Sequence, residues 1–363
     1  MPEPITRRAL NRALLARQGL LDRFRGSALE AIDHLVGLQA QAPNAPYYGL
    51  WSRVEGFGTD ELAGLLVTRQ VARTVLMRST VHLVTARDAL ALRPLVAPML
   101  ERQLRTGSPW GRALVGLDLD ELVSIGRELV EQQPRTNAEL GALLAARVPG
   151  RDGASMAQGL RNLLPLVQVP PRGVWGVGGA ARLTTTESWL GVPLETSTTL
   201  DITVRRYLAA FGPASVMDAQ TWCGLTRLGP VFERLRPELV TFRDEEGREL
   251  FDLPDAPRPG ADTPAPPRFL HEYDNALVSH ADRRRIIDAE HRERVFAKGT
   301  LLVDGFVSGT WRLTPGRRRA LLAIESFATL PKRQRAAVER EGSRLLAFAA
   351  PDAEHELALL TAG

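Results

Sequence analysis

Two glutamines, Gln39 and Gln41, stand in an unusual segment, LQAQAPNAPYYGLW, spanning residues 38–51. Side chains two residues apart diverge by roughly 200° on a helix but share a side of an extended chain. Pro43 and Pro46 push Ala42 and Ala45 away from the helical region and end any preceding helix. The segment is therefore expected to be extended, with both amides projecting into one cleft. Spacing alone leaves a second reading open, in which the amides tie down the backbone of a buried turn. An amide has no protonation change near neutral pH, so it is no general base. Its carbonyl can still orient a water while its NH₂ donates. That is enough chemistry for a substrate that is already activated.

Other positions admit a plain reading beside a chemical one. His82 sits between Val81 and Leu83 in an apolar run, as an acid or as a hydrogen-bonded structural histidine. In EYDNALVSH (272–280), Glu272, Tyr273, Asp274 and Asn275 could line a cleft, with Asp274 the carboxylate best suited to support a cation. Capping of the following segment explains Asp274 equally well. Arg283 and Arg284 open a basic run that is either solvated or set against phosphates. The run VFAKGTLLVDGFVSGTWRL (295–313) could project Lys298 and Arg312 toward phosphates, or pack as an ordinary sheet. Arg317–Arg319 allows both readings too.

The chain has 363 residues, 44% hydrophobic and 24% charged, which fits a soluble protein of two or three structural units. Its formal charge of +4 announces no global basic field. Of the 46 basic residues, only Lys298 and Lys332 are lysines. GC-rich codon usage explains this; guanidinium forks also suit phosphates and purine edges. A single cysteine, Cys223, excludes an internal disulfide and a cysteine-based zinc site, and its apolar setting suggests a buried thiol. The six histidines lack metal-ligand spacing, so neither metal nor cofactor is expected. The charged N-terminal stretch has no apolar signal region and no run reaches a membrane span, which points to the cytoplasm.

The elements that would position these residues read as α+β. Helices are expected over 1–25, Ser27–Leu38 (Ser27 capping, with Glu30 three residues on), Asp60–Val67, Ala86–Arg105 and Asp118–Gln132, with an extended stretch at Val71–Val84. The clearest pattern is 136–191. A capping box at Thr136 and Glu139 opens a helix to Ala146, a second helix covers Ala154–Leu164, and strands at 166–169 and 181–185 flank a Gly-rich loop. Helix, turn, helix, hairpin is the winged-helix plan. It would offer Arg151, Gln158, Arg161 and Asn162 on its second helix, with Arg172 and Trp175 on its wing. Winged helices also serve as protein-interaction modules. The order recurs in Leu200–Phe211, Ser215–Trp222 and Arg227–Arg236, followed by strands at 239–243 and 249–253. The expected units are 1–133, 134–195 and 196–254, then a Pro-rich linker (255–267). A β-rich portion, 268–363, ends in a helix over Pro331–Ala349.

The segments GLQAQAPNAPYYGLWSRV (37–54), RTVLMRSTVHLVTARD (73–88), FLHEYDNALVSHADR (269–283) and LVDGFVSGTWR (302–312) resemble the winged-helix DNA glycosylase superfamily, which includes azinomycin-resistance and crosslink-unhooking enzymes of bacteria. The resemblance covers essentially the whole chain. It implies three tandem winged-helix motifs in a C-shaped monomer with a basic concave face. Its signature of glutamine, aliphatic residue, then glutamine or aspartate falls on Gln39-Ala40-Gln41, which makes Gln39 and Gln41 the implied catalytic pair. The glutamine–glutamine variant is associated with self-resistance in makers of DNA-alkylating antibiotics. The implied partner is double-stranded DNA carrying cationic N7- or N3-alkylated purines, bulky adducts and crosslinks included. Such a base departs with little need for protonation, so positioned water and a stabilised oxocarbenium-like transition state suffice. Neither lysine lies near the glutamines in sequence, so water rather than a Schiff-base amine is the expected nucleophile. The alternative is a non-enzymatic regulator. A regulator would usually be a symmetric dimer, whereas three units on one chain can encircle DNA as a monomer.

Overall fold

The computed structural model describes residues 4–316 and 318–361. Arg317 and the start of the first expected helix lie outside the described residues. Thr6 caps α1 (Arg7–Arg17), which ends well before residue 25. The expected capping box of Ser27 and Glu30 opens α2 (Ala28–His34). A two-residue strand, β1 (Leu38–Gln39), leads to α3 (Ala45–Arg53). That helix was not expected: Pro46 sits in its first turn, where proline has no hydrogen bond to lose and its fixed φ suits a helix start.

Next come α4 (Thr59–Val67), β2 (Val71–Val75) and β3 (Val81–Thr85). The stretch expected to be simply extended is thus a hairpin with a tight turn. Then follow α5 (Ala86–Gly107), α6 (Pro109–Ala113) and α7 (Leu119–Gln132). After β4 (Arg135–Thr136), the Thr136–Glu139 capping box opens α8 (Asn137–Arg147), paired with α9 (Gly153–Leu163). A Cβ on Gly153 would fall 2.0 Å from the Gly141 carbonyl oxygen, so only glycine permits this helix crossing. The hairpin β5 (Leu166–Val169) and β6 (Arg182–Thr185) precedes α10 (Thr186–Leu190).

The second helix–helix–hairpin run is α11 (Leu200–Phe211), α12 (Val216–Cys223), α13 (Gly229–Leu235), β7 (Val240–Arg243) and β8 (Glu249–Asp252). The remainder contains β9 (Arg268–Leu270), α14 (Asn275–Val278), β10 (Gly299–Val303), β11 (Phe306–Thr314), β12 (Arg319–Ser326), α15 (Lys332–Ala349) and β13 (Glu354–Thr361). Helix α15 does not close the chain: β13 returns parallel to β12.

The protein is thus mixed α+β, with three sheets among the described residues. One has the order β1-β3-β2-β5-β6-β4, one β13-β12-β11-β10-β9, and β7 pairs with β8. The first sheet crosses the boundary drawn at 133/134. The Pro-rich segment is strapped onto α1: Arg8 donates to the Ala261 carbonyl (2.9 Å), Arg12 to Thr263 (2.6 Å) and Arg17 to Pro257 (3.2 Å). The N-terminal arginines thereby serve the fold. Burial raises the Cys223 thiol to about 11, consistent with an inert packing role. Among the described residues, no helix is long and apolar enough to cross a membrane.

Candidate active site

Strand alternation sets the glutamine segment. Leu38 and Ala40 are fully buried, while Gln39 and Gln41 emerge on the other face. Gln39 pairs with His82 of β3, and the Ala40 N–H donates to the Val81 carbonyl at 2.7 Å. Two groups pin this backbone: Arg73, which the sequence did not single out, and Asn275, read there only as a residue that could line a cleft. Arg73 on β2, 1% exposed, donates to the carbonyls of Ala40 (2.7 Å) and Pro43 (3.4 Å), and burial lowers its pKa to about 10. Asn275, at the start of α14, accepts from the Gln39 N–H (3.3 Å) and donates to the Gly37 carbonyl (2.7 Å). A buried arginine and a buried amide both need fixed partners, so each works as a clamp.

The two amides share a face but not a depth. Gln41 is exposed and lines a polar groove of about 540 Å³ with Arg78, Trp110, Gln158, Arg161 and Asn162. Its carbonyl lies 3.4 Å from the Val81 N–H, a marginal bond that leaves it available. Gln39 is only 5% exposed and lies beneath that lining, its carbonyl accepting from Arg78 Nη2 at 3.0 Å. Of the two amides expected to project into one cleft, Gln41 is the one that lines the groove.

Arg78 occupies the β2–β3 turn with φ 56° and ψ 19°, and Ser79 follows with φ 56°. Left-handed conformations cost non-glycine residues roughly 1–3 kcal/mol each and cluster at functional sites. Arg78 has no carboxylate within 4.0 Å among the described residues. It donates to Trp222 O and Gln39 and contacts His82 Nε2 at 3.3 Å. His82 is fully buried, and burial together with Arg78 drives its pKa down to about 3. A neutral imidazole donating through Nδ1 to the Thr80 carbonyl (3.0 Å) leaves Nε2 as an acceptor. His82 is a structural neighbour of the pair and no proton donor near neutral pH.

Helix α9 supplies one groove wall, placing Gln158, Arg161 and Asn162 beside Gln41. Arg161 is half-buried, with burial lowering its pKa. Arg283 is exposed and close enough to help depress Arg78, while Arg284 is tied to Asp282 (2.6 Å) and Glu246 (2.9 Å). The loop carrying Arg172 and Trp175 folds back onto the protein instead of projecting. Tyr47 donates to the Gly173 carbonyl and accepts from the Trp175 N–H, and Trp175 packs on Tyr47 at 4.9 Å. Arg172 bonds the Gly179 carbonyl at 2.9 Å. Lys298 and Arg312 line a separate cleft of about 810 Å³ that shares no lining residue with the groove.

Asp274 supports no cation in the groove. Fully buried, it caps α14 and accepts both Arg53 Nη1 and Nη2 at 2.9 and 2.6 Å, because a buried carboxylate needs a buried partner. Tyr273, with φ 58°, packs edge-on to Phe296 at 5.8 Å. Among the described residues, no group of three or more His, Cys, Asp or Glu could hold a metal ion.

Gln41, following a clamped strand, thus opens onto a groove walled on one side by α9, whose Arg161 has no carboxylate partner among the described residues. The chain belongs to the family described as DNA glycosylase AlkZ-like, which matches residues 32–348. It is therefore a DNA-repair enzyme that acts on N-glycosyl bonds. A curated relative, the interstrand DNA cross-link repair glycosylase of Streptomyces sahachiroi, is 25% identical over 91% of this chain and 93% of its own length. The solved structure of Streptomyces sahachiroi DNA glycosylase AlkZ superposes with a TM-score of 0.78 at 20% identity, covering 98% of this chain and all of that one.

Proposed function

We propose that this glycosylase is monofunctional and hydrolyses the N-glycosidic bond of cationic N7- or N3-alkylated purines in duplex DNA. Gln39 and Gln41 position the water, and no covalent intermediate forms. The observation carrying this is that Gln41 opens onto a groove whose wall carries Arg161, a guanidinium with no carboxylate partner among the described residues, so a DNA phosphate can fill that role. A neutral amide cannot take a proton, so the base must arrive primed to leave. Lys298, the lysine nearest the site in sequence, opens on the other cleft, which disfavours a Schiff base.

Bulky lesions, crosslinks among them, fit the groove. It holds about 540 Å³, and Trp110 in its lining remains 42% exposed, an aromatic face available for stacking. Successive helix–helix–hairpin units support reading the chain as tandem winged helices that engage DNA as a monomer. A narrow range restricted to labile cationic lesions suits self-resistance to a DNA-alkylating product. The test is incubation with duplex carrying a single N7-methylguanine, followed by hot alkali. Strand scission at the lesion is expected with the intact protein, with a loss of about 10²-fold in both Gln39→Ala and Gln41→Ala at unchanged DNA affinity. Binding without scission would favour a regulator, and full activity in both variants would overturn the site.

A further inference from the structure

We infer that Arg78 is a positioning residue that dictates which end of the Gln39 amide faces the reaction, making Gln39 the donor and Gln41 the acceptor of the pair. This rests on the reading of Gln39 and Gln41 as the catalytic pair. The argument runs through groups that cannot reverse. Arg78 presents only donors, so the atom of Gln39 facing Nη2 at 3.0 Å must be the carbonyl oxygen. His82 cannot substitute a donor at that place. Its Nδ1 proton is committed to the Thr80 carbonyl at 3.0 Å, which leaves the Nε2 lone pair toward Arg78 at 3.3 Å. Arg78 is anchored on its other nitrogen by the Trp222 carbonyl of α12, and its turn adopts two successive left-handed residues to put it there.

The amide nitrogen of Gln39 is thereby turned away from Arg78. It has no partner among the described residues and is not among the buried unsatisfied atoms, so solvent reaches it. Gln39 then offers only N–H groups to the substrate or to the water oxygen. Gln41 holds its carbonyl by a marginal 3.4 Å contact and can exchange it for the O–H of an incoming water. The pair is asymmetric although its side chains are chemically identical. The guanidinium acts through Gln39, and neutral acceptors hold it without a carboxylate that would cancel its charge.

The experiment is a double-variant cycle on full-length protein, read as the single-turnover excision rate of N7-methylguanine together with the salt dependence of DNA affinity. Arg78→Met and Gln39→Ala are expected to slow excision by similar factors. The double variant should fall within about twofold of the slower single, because residues acting as one unit are not additive. The salt slope should stay unchanged in Arg78→Met. Multiplicative losses, or a slope reduced by about one with the rate preserved, would identify Arg78 as a phosphate contact and overturn the inference.

Gln39→Glu provides a second arm should Arg78→Met not fold. Its carboxylate can still pair with Arg78 but has no N–H, so excision should drop as far as in Gln39→Ala, whereas Gln41→Glu keeps an acceptor and should lose less than Gln41→Ala. Retention in Gln39→Glu with loss in Gln41→Glu would refute the assignment. If neither glutamine matters, every variant in the series stays active, and it is the underlying site reading that fails.

Discussion

The arginines of the groove and those of the cluster around Asp282 are the same residue in opposite electrical states. Arg248 bonds Asp244 and Asp282 at 2.7 Å each, and Arg284 bonds Asp282 and Glu246. These guanidiniums hold the Asp282 carboxyl well below its usual range. Such surface networks add little stability and cancel their own charge. Arg78, Arg161 and Arg283 have no carboxylate partner among the described residues, and the first two are half-buried. A net charge of +4 spread over 46 basic residues says nothing of where DNA binds. The distribution of carboxylates is what supports placing it at the groove.

That contrast can be broken in several ways. The largest effect should come from the chemistry: Gln41→Ala is expected to slow excision about 10²-fold, while Lys298→Ala, in the other cleft, stays within about twofold and traps no adduct with borohydride. An equal loss in both would merge the two regions into one site. Next, Trp110→Ala should cost about 10-fold in kcat/KM on a lesion bearing a planar aromatic group and spare N7-methylguanine. Arg161→Ala and Arg283→Ala should each flatten the salt dependence of DNA affinity by about one unit of slope, whereas Arg284→Ala leaves it alone. A change in slope with Arg284→Ala would erase the distinction between cluster and groove.

The smallest effect concerns pH. His82 is held near pKa 3 in the folded state, against 6.5 for a free imidazole side chain, so the unfolded chain takes up protons first on acidification. Its stabilising contribution is complete above pH 6.5 and declines between there and about 3. Excision of a cationic lesion should be level from about pH 5 to 9, since neither amide titrates. A steep limb near pH 7 would mean that a general base takes part.

Local signals survived into the fold where they were self-contained. The capping boxes at Ser27 and Thr136, the hairpin of β5 and β6, and the helices at Leu200 and Val216 stand where composition put them. Pro46 misled, because proline both ends and begins helices, and the context that chooses is tertiary. The clamping role of Arg73 and Asn275 left no spacing pattern, since they act on the backbone of Ala40 and Gln39 from 33 and 236 residues away. Asn275 was legible only as a residue that could line a cleft, and Arg73 only as a charge inside an apolar run, VARTV.

By itself the sequence determined the types: two glutamines that cannot titrate, an extended strand on which i and i+2 share a face, and arginine as nearly the sole cation. Only the tertiary structure decided depth and polarity, burying Gln39 under Arg78, exposing Gln41, and removing Asp274 and Arg284 into ion pairs. The reason is physical. Periodicity fixes the direction of a side chain relative to its own backbone, whereas burial, charge compensation and the facing of an amide depend on neighbours contributed by distant parts of the chain.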